Sequence, residues 1–297
     1  MPGVDVVKGD LEDADLIEKE AKAADVVFHL ASTRHEPSSR AIIKGLSDPS
    51  RKPGYWIQIG GAAMFAGPQV KAGTYGEGGG KTYDDVQDIE EIKNIIRSSP
   101  ARVIDNLILA QDKVKTALVP GPIIYGKGRG AVNTRTIQGP AIAEYTLKHG
   151  EAFQVGKGEN VWSTVHVADI GKLFALLLGA AAKGQDEVFK DGIFFAESGK
   201  IVSVPPLVLI FADKQSFSEY AQLISKAARD QGLIKSDNIK SLTAEEVDQV
   251  LPHGAVVLGT DAILSASRAK QALGWSPSEM SLAEDVPRMV KDEAERS

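Results

Sequence analysis

An α/β fold, with a parallel sheet whose strands are joined by helices and a smaller, mostly helical lobe after it, is predicted by three observations. Short apolar runs rich in β-branched residues recur along residues 1–196, and most close on glycine or proline. Segments with apolar residues at helical spacing lie between them, and such alternation implies parallel pairing with right-handed crossovers. After Glu197 the runs give way to helical segments parted by polar turns, which sets a lobe at 197–297.

The elements follow in order. Val4-Asp5-Val6-Val7 reads as a strand closed by Gly9-Asp10, and Asp13 to Ala24 reads as a helix with acidic residues near its start. Asp25 to Leu30 is the next strand, followed by Ala31-Ser32-Thr33 and a helix through Ser39 to Ile43. Tyr55 to Ile59 is a strand ending at Gly60-Gly61, and Thr116 to Val119 is another ending at Pro120-Gly121-Pro122. Between them, Val86, Ile89, Ile92, Ile95 and Ile96 form a stripe at helical spacing, and Pro100 to Ala110 is a second helix. A helix over Ile170 to Ala182 follows Val165-His166-Val167-Ala168-Asp169, and Gly192 to Phe195 reads as a late strand. Helices are expected at Ser216 to Arg229, Thr243 to Val250 and Asp261 to Leu273.

Composition excludes several classes. With 34 Lys and Arg against 40 Asp and Glu, the net charge of −6 argues against a nucleic-acid binder. There are no cysteines, so disulfides, thiolate metal sites and cysteine nucleophiles are ruled out. The longest apolar stretches, Phe174 to Ala182 and Val204 to Ala212, are about half the roughly 20 residues of a membrane-spanning helix. The first residues show no signal-peptide pattern, so the cytoplasm is the expected compartment and no membrane partner is expected. The histidines lack the carboxylate and histidine spacings of a metal site, and no metal is expected.

In an open α/β sheet, ligands sit at the carboxyl ends of strands. The segments there are Gly9-Asp10-Leu11, Leu30-Ala31-Ser32, Ile59-Gly60-Gly61 and Pro120-Gly121-Pro122-Ile123-Ile124-Tyr125-Gly126. With Val165 to Ile170 and the ending Ser267-Arg268 through Ala272-Leu273-Gly274-Trp275-Ser276-Pro277, they resemble the extended and atypical short-chain dehydrogenase/reductase superfamily of the NAD-dependent epimerase/dehydratase type. The chain is similar within it to fungal, NmrA-like NAD(P)-binding proteins. The resemblance implies a Rossmann-like parallel sheet, shortened at its N-terminus, over 1–196, and a helical substrate lobe over 197–297. It implies NAD or NADP held weakly by Asp10, Leu11, Leu30, Ala31, Ser32, Gly60, Gly61, Pro120, Gly121, Pro122 and Ile123. It also implies a small-molecule substrate near Tyr125, Arg129, Trp162 and His166, and a homodimer built on the helices around Val86 to Ile96 and Val103 to Ala110.

Two departures stand beside the resemblance. The chain opens at what reads as the third strand of the family pattern, and no G-x-G-x-x-G or G-x-x-G-x-x-G lies between a strand and a helix, so the usual pyrophosphate seat is lacking. Val4 to Val7 is therefore expected to pair beside Val26 to Leu30, because an open central edge is costly. The family's base is a tyrosine followed four residues on by a lysine; after Tyr55, Tyr75, Tyr83, Tyr125, Tyr145 and Tyr220 stand Ile59, Gly79, Gln87, Arg129, His149 and Ile224 instead. Arg102 and Asp105, three apart, read as a surface ion pair. Tyr125 is a substitute acid/base or a structural residue under its loop, Trp162 faces substrate or the core, and His166 serves substrate or structure. Gly76 to Thr82 ends like a phosphate loop, but Tyr75 stands where that loop needs glycine, so the tract reads as an active-site flap. Two functions compete: an oxidoreductase or isomerase with altered chemistry, and a binding or regulatory protein that kept the fold and lost catalysis.

Overall fold

A computed structural model describes residues 3–198 and 215–296, so the apolar stretch Val204 to Ala212 lies outside the described residues. Along the first part of the chain run α1 (Ala14–Ala23), β1 (Val26–His29), α2 (Glu36–Leu46), β2 (Tyr55–Gly61), α3 (Gly67–Ala72), β3 (Thr82–Asp84), α4 (Ile89–Arg97) and α5 (Val103–Leu109). Then come β4 (Lys115–Gly121), β5 (Ile123–Tyr125), α6 (Gln138–His149), β6 (Ala152–Val155), β7 (Val161–Trp162), β8 (Thr164–His166) and α7 (Val167–Ala182). The last part holds β9 (Gln215–Ser216), α8 (Phe217–Asp230), β10 (Ile239–Leu242), α9 (Ala244–Val250), α10 (Gly254–Gly259), β11 (Ile263–Ser265), α11 (Ser267–Leu273) and α12 (Leu282–Ala294). Two compact units divide the chain: the first takes residues up to Gly60, 89–120 and 174–194, and the second 61–88, 121–173 and the residues from Phe195 onward.

The first unit is built on a three-stranded sheet in the order β1, β2, β4. β1 lies parallel to β2, with Val26 opposite Tyr55 and His29 opposite Gln58. Trp56, Ile57, Leu118 and Val119 are fully buried in these strands, as β-branched and aromatic runs in a covered sheet require. Ile193 adds a single parallel bridge at Leu118, so the late strand expected at Gly192 to Phe195 is reduced to one bridge.

Val4 to Val7 forms no strand and does not pair beside β1: Val4, Val6 and Val7 are 58%, 90% and 53% exposed. A β-branched run becomes a strand only when a neighbouring edge takes up its hydrogen bonds, and this run pairs with no strand among the described residues.

In the second unit β5 pairs β8, β6 pairs β10 and β3 pairs β11, all parallel, while β7 and β9 are antiparallel. The β11 strand corrects one expectation, since the helix read over Asp261 to Leu273 begins only at Ser267. Three helices of this unit start at capping boxes, Ser216 with Glu219, Thr243 with Glu246 and Ser281 with Glu284. Each pair satisfies two amide donors left over at a helix start, which explains why α8, α9 and α12 begin where they do. No helix of the described residues is long and apolar enough to cross a membrane.

Candidate functional site

The first unit contains a cavity of about 690 Å³ along β1, walled by Val26 to His29, by Leu16 and Ile17 of α1 and by Ile42 of α2. Asp10, Leu11 and Ala31 line it. Asp10 Oδ1 accepts the N–H of Glu12 at 2.8 Å and its own N–H donates to Asp13 at 2.8 Å, which fixes the turn into α1. Asp10 Oδ2 has no hydrogen-bond partner among the described residues. Leu30 is 51% exposed. Ser32 Oγ accepts the N–H groups of Arg34 and His35, both at 3.1 Å, and its carbonyl accepts from Gln58 Nε2 at 2.9 Å.

Sequence reasoning passed over a chain of polar groups on the same wall. His29, buried at the end of β1, has Nε2 3.3 Å from Ser38 Oγ, and Ser38 Oγ lies 2.9 Å from His35 Nδ1. His35 Nε2 meets Glu12 Oε1 at 3.0 Å. Because the Ser38 N–H donates to His35 Nδ1, the proton of His35 sits on Nε2 and points to Glu12. Burial, and the nearby His35, hold the His29 imidazole below its ordinary pKa. The chain links exposed Glu12 to the cavity wall at His29 through groups able to give and accept protons.

At the end of β2, Gly60 is pressed against Leu118, and a Cβ there would also lie 3.7 Å from Asp105 Oδ1. Asp105 is 3% exposed, which corrects the surface pairing expected for it: its carboxyl meets Arg102 at 3.5 Å inside the unit. Burial pushes Asp105 above the ordinary carboxylate range against the pull of Arg102, and burial lowers Arg102. An i, i+3 spacing fixes that two residues meet on one helix face but not how deep that face lies. Pro120 is buried at the end of β4 in the same unit.

Gly61, Gly121, Pro122, Ile123, Tyr125, Arg129, Trp162 and His166 belong to the second unit. A Cβ at Gly61 would meet nothing within 4 Å. Gly121, Pro122 and Ile123 are buried, with the Ile123 N–H donating to the Ser163 carbonyl at 3.1 Å. Tyr125 is 3% exposed; its hydroxyl donates to the Met280 carbonyl at 2.8 Å and lies 3.4 Å from Ser198 Oγ. Burial pushes its phenol up to about 12. Replacing Tyr125 by phenylalanine is expected to cost about 1 kcal/mol in a thermal melt, the value of one buried hydrogen bond, and to leave cofactor titration unchanged.

Trp162 is 3% exposed and its Nε1 donates to the Thr260 carbonyl at 2.7 Å, a core placement. His166 stacks edge-on to Tyr125 with centroids 5.3 Å apart, and its Nδ1 accepts the Ala168 N–H. Gly126, at φ +88°, lets the chain pass the His166 ring, since a Cβ there would come within 2.3 Å of it. Arg129 is exposed.

Two stretches that carried the resemblance lock together in this unit. Trp275 Nε1 donates to the Asp169 carbonyl at 2.9 Å, and the Asp169 carboxylate accepts the N–H groups of Ser278 and Glu279 and the Lys172 ammonium. Burial would raise Asp169, but these donors hold it below the ordinary carboxylate range. The glycine tract is no open flap: Gly76 N–H donates to the Gly259 carbonyl at 2.7 Å and Gly80 N–H to Asp261 at 2.8 Å, and a Cβ at Gly76 would lie 2.0 Å from the Val155 carbonyl oxygen. Among the described residues no group of three or more histidine, aspartate or glutamate side chains is placed to hold a metal.

No family model matches the chain. An oxidase, ucsJ, of Acremonium is 31% identical over 310 residues, covering 99% of this chain and 85% of that protein. An uncharacterized protein of Saccharomyces cerevisiae is 22% identical, covering 96% and 83%. Among solved structures, a dTDP-glucose 4,6-dehydratase of Streptomyces venezuelae with NAD bound aligns at a TM-score of 0.62 with 13% identity, covering 98% of this chain and 79% of that one. A UDP-glucose 4-epimerase of Thermotoga maritima with UDP-glucose aligns at 0.55 with 15% identity, covering 98% and 84%. With a relative of this identity along nearly its whole length, the chain belongs to the same family as that oxidase, and it has the Rossmann-like fold of the NAD-dependent epimerase/dehydratase enzymes.

Proposed function

We propose that this protein is an NAD(P)-binding oxidoreductase of a small-molecule substrate whose proton chemistry does not use the tyrosine and lysine pair of its superfamily. The observation that carries the reading is the cavity of about 690 Å³ lined jointly by Asp10, Leu11 and Ala31, three positions for which the family resemblance implies cofactor contact. Its apolar wall suits the flat face of an adenine, and Asp10 Oδ2 is available to accept from an amine on that ring. Leu30, Ser32, Gly60 and Pro120, at strand ends of the same unit, would complete the cofactor contacts there. The bound nicotinamide would supply hydride exchange. The 31% identical oxidase and the NAD complexes of the structural neighbours support this assignment. We further propose a homodimer through the helices around Val86 to Ile96 and Val103 to Ala110, as the resemblance implies.

Fluorescence titration with NADPH and NADH tests the reading. Saturable binding is expected, weakened at least about tenfold by Ala31→Trp, which fills the cavity; no saturation at millimolar cofactor overturns it. A non-catalytic dinucleotide binder is the second reading, favoured by Tyr125, whose hydroxyl is spent on Met280 and whose proton is held far above neutrality. Cofactor binding without consumption of NAD(P)H or NAD(P)+ across a panel of alcohols, aldehydes and ketones would select it.

A further inference from the structure

The second unit holds a cavity of about 620 Å³ that no part of the proposed cofactor site uses. Helix α6 buries Ile142 and Thr146 on one side and turns Ala141, Tyr145, Lys148 and His149 to the cavity. Lys240 and Leu242 of β10 and Glu246 of α9 form the facing walls. The Tyr145 ring stacks on His149 with centroids 4.1 Å apart at 27°, and Phe153 braces it from behind, edge-on at 4.7 Å.

The charges in this cavity are unevenly matched. Glu144 is bonded to Arg135 Nη2 at 2.8 Å, and the same guanidinium makes three bonds to Glu293 at 2.8 to 3.0 Å. Glu246 Oε2 is occupied by the Thr243 N–H at 2.8 Å, in the capping box that starts α9. Lys148 and Lys240 have no carboxylate within 4.0 Å and no hydrogen bond among the described residues, and neither the Tyr145 hydroxyl nor the His149 ring has a hydrogen-bond partner there. The cavity therefore joins Ala141, Leu242 and a braced aromatic pair to two ammonium groups. Lys148 and Lys240 are exposed, and each places an ammonium group at this cavity with no acid within 4.0 Å.

We propose that this cavity is a second ligand site, for a small planar aromatic phosphate ester. The ring lies on the Tyr145 and His149 pair, as offset aromatic stacking favours. The phosphate lies between Lys148 and Lys240, which act as point charges with rotatable donors, and the Tyr145 hydroxyl supplies a further hydrogen bond. The volume is within the range of small-molecule sites, roughly 300–1,000 Å³.

Phenyl phosphate and inorganic phosphate, titrated separately into the intact protein by calorimetry, test the proposal. Phenyl phosphate is expected to bind saturably and at least about tenfold more tightly than inorganic phosphate, and the Lys148→Glu, Lys240→Glu double variant to weaken it at least about tenfold. Tyr145→Leu, which keeps bulk against Phe153, is expected to erase the preference over inorganic phosphate. Both variants lie outside the cofactor cavity, so NADPH titration with them is expected to match the wild type, and this separates a failure here from a failure of the cofactor reading. Absence of saturation at about 10 mM phenyl phosphate, or equal affinity in the double lysine variant, overturns the proposal.

Discussion

Alanine in place of Gly45 is expected to destabilise the protein by about 2–4 kcal/mol and to abolish or strongly weaken cofactor binding in the first cavity. Two effects of opposite sign meet at this residue. Gly45 lies inside α2, where helix propensity alone makes alanine more stable than glycine by about 1 kcal/mol. A Cβ at Gly45, however, would stand 2.4 Å from the Glu18 carbonyl oxygen, 2.8 Å from the Lys22 nitrogen and 2.8 Å from Ala21 Cβ. Two of these three are backbone atoms of α1, so no side-chain rotation relieves the overlap, and the helices must move apart. That movement opens the contact that buries Ala21 and shifts the cavity wall carrying Leu16, Ile17 and Ala21. The packing cost outweighs the propensity gain. Chemical denaturation of Gly45→Ala measures the sign directly: a variant more stable than wild type would show that α1 and α2 do not meet backbone to backbone at Gly45.

What could be read from residues alone divides along physical lines. α1, α2, α8, α9 and the strands β1, β2 and β4 rest on local signals, periodicity and β-branched runs closed by glycine or proline, whereas α12 was not foreseen. Val4 to Val7 carried the same local signal and failed, because a strand needs an edge to pair with and no composition supplies one. Ala262-Ile263-Leu264 failed differently, since a short apolar run fits either a strand or a helix and only its pairing with β3 settles which.

Asp10, Leu11 and Ala31 were named together through the family resemblance and line one cavity, although the run before Asp10 is no strand. Trp162 and Tyr125 were legible as important, but spacing could not tell that their polar atoms would be consumed by the carbonyls of Thr260 and Met280, about 98 and 155 residues away in sequence. The His29, Ser38, His35 and Glu12 chain was hidden for the same reason: it crosses from a strand to a helix to a turn, and no single period marks it.

Asp85 gives the second large effect, and its sign reverses a common intuition about paired carboxylates. The residue is fully buried after β3; Oδ2 accepts the Phe195 N–H at 2.7 Å and Oδ1 the Arg268 N–H at 2.8 Å, so it ties the end of β3 to Phe195 and to the start of α11. Two such bonds favour the ionised form, but burial outweighs them and pushes the carboxyl up to about 6. A carboxyl raised in the folded state holds its proton longer there than in the unfolded chain. Its contribution to stability is therefore full below about pH 4 and is lost as the pH rises through 6, a change on the order of 3 kcal/mol. Asp85→Asn removes that titration but keeps only one of the two acceptors, since its amide nitrogen cannot accept the second backbone N–H. Relative to wild type, the asparagine variant is expected to start about 1–3 kcal/mol less stable at pH 4, for the one acceptor lost, and to recover about 2 kcal/mol of that by pH 7. Asp85→Ala, which leaves two buried N–H groups without an acceptor, is expected to lose about 2–6 kcal/mol at every pH. Urea denaturation of the three proteins at pH 4, 5, 6 and 7 decides the matter. If the asparagine variant instead loses ground as the pH rises, the two N–H bonds outweigh burial, and the carboxylate is a net stabilising tie at neutral pH.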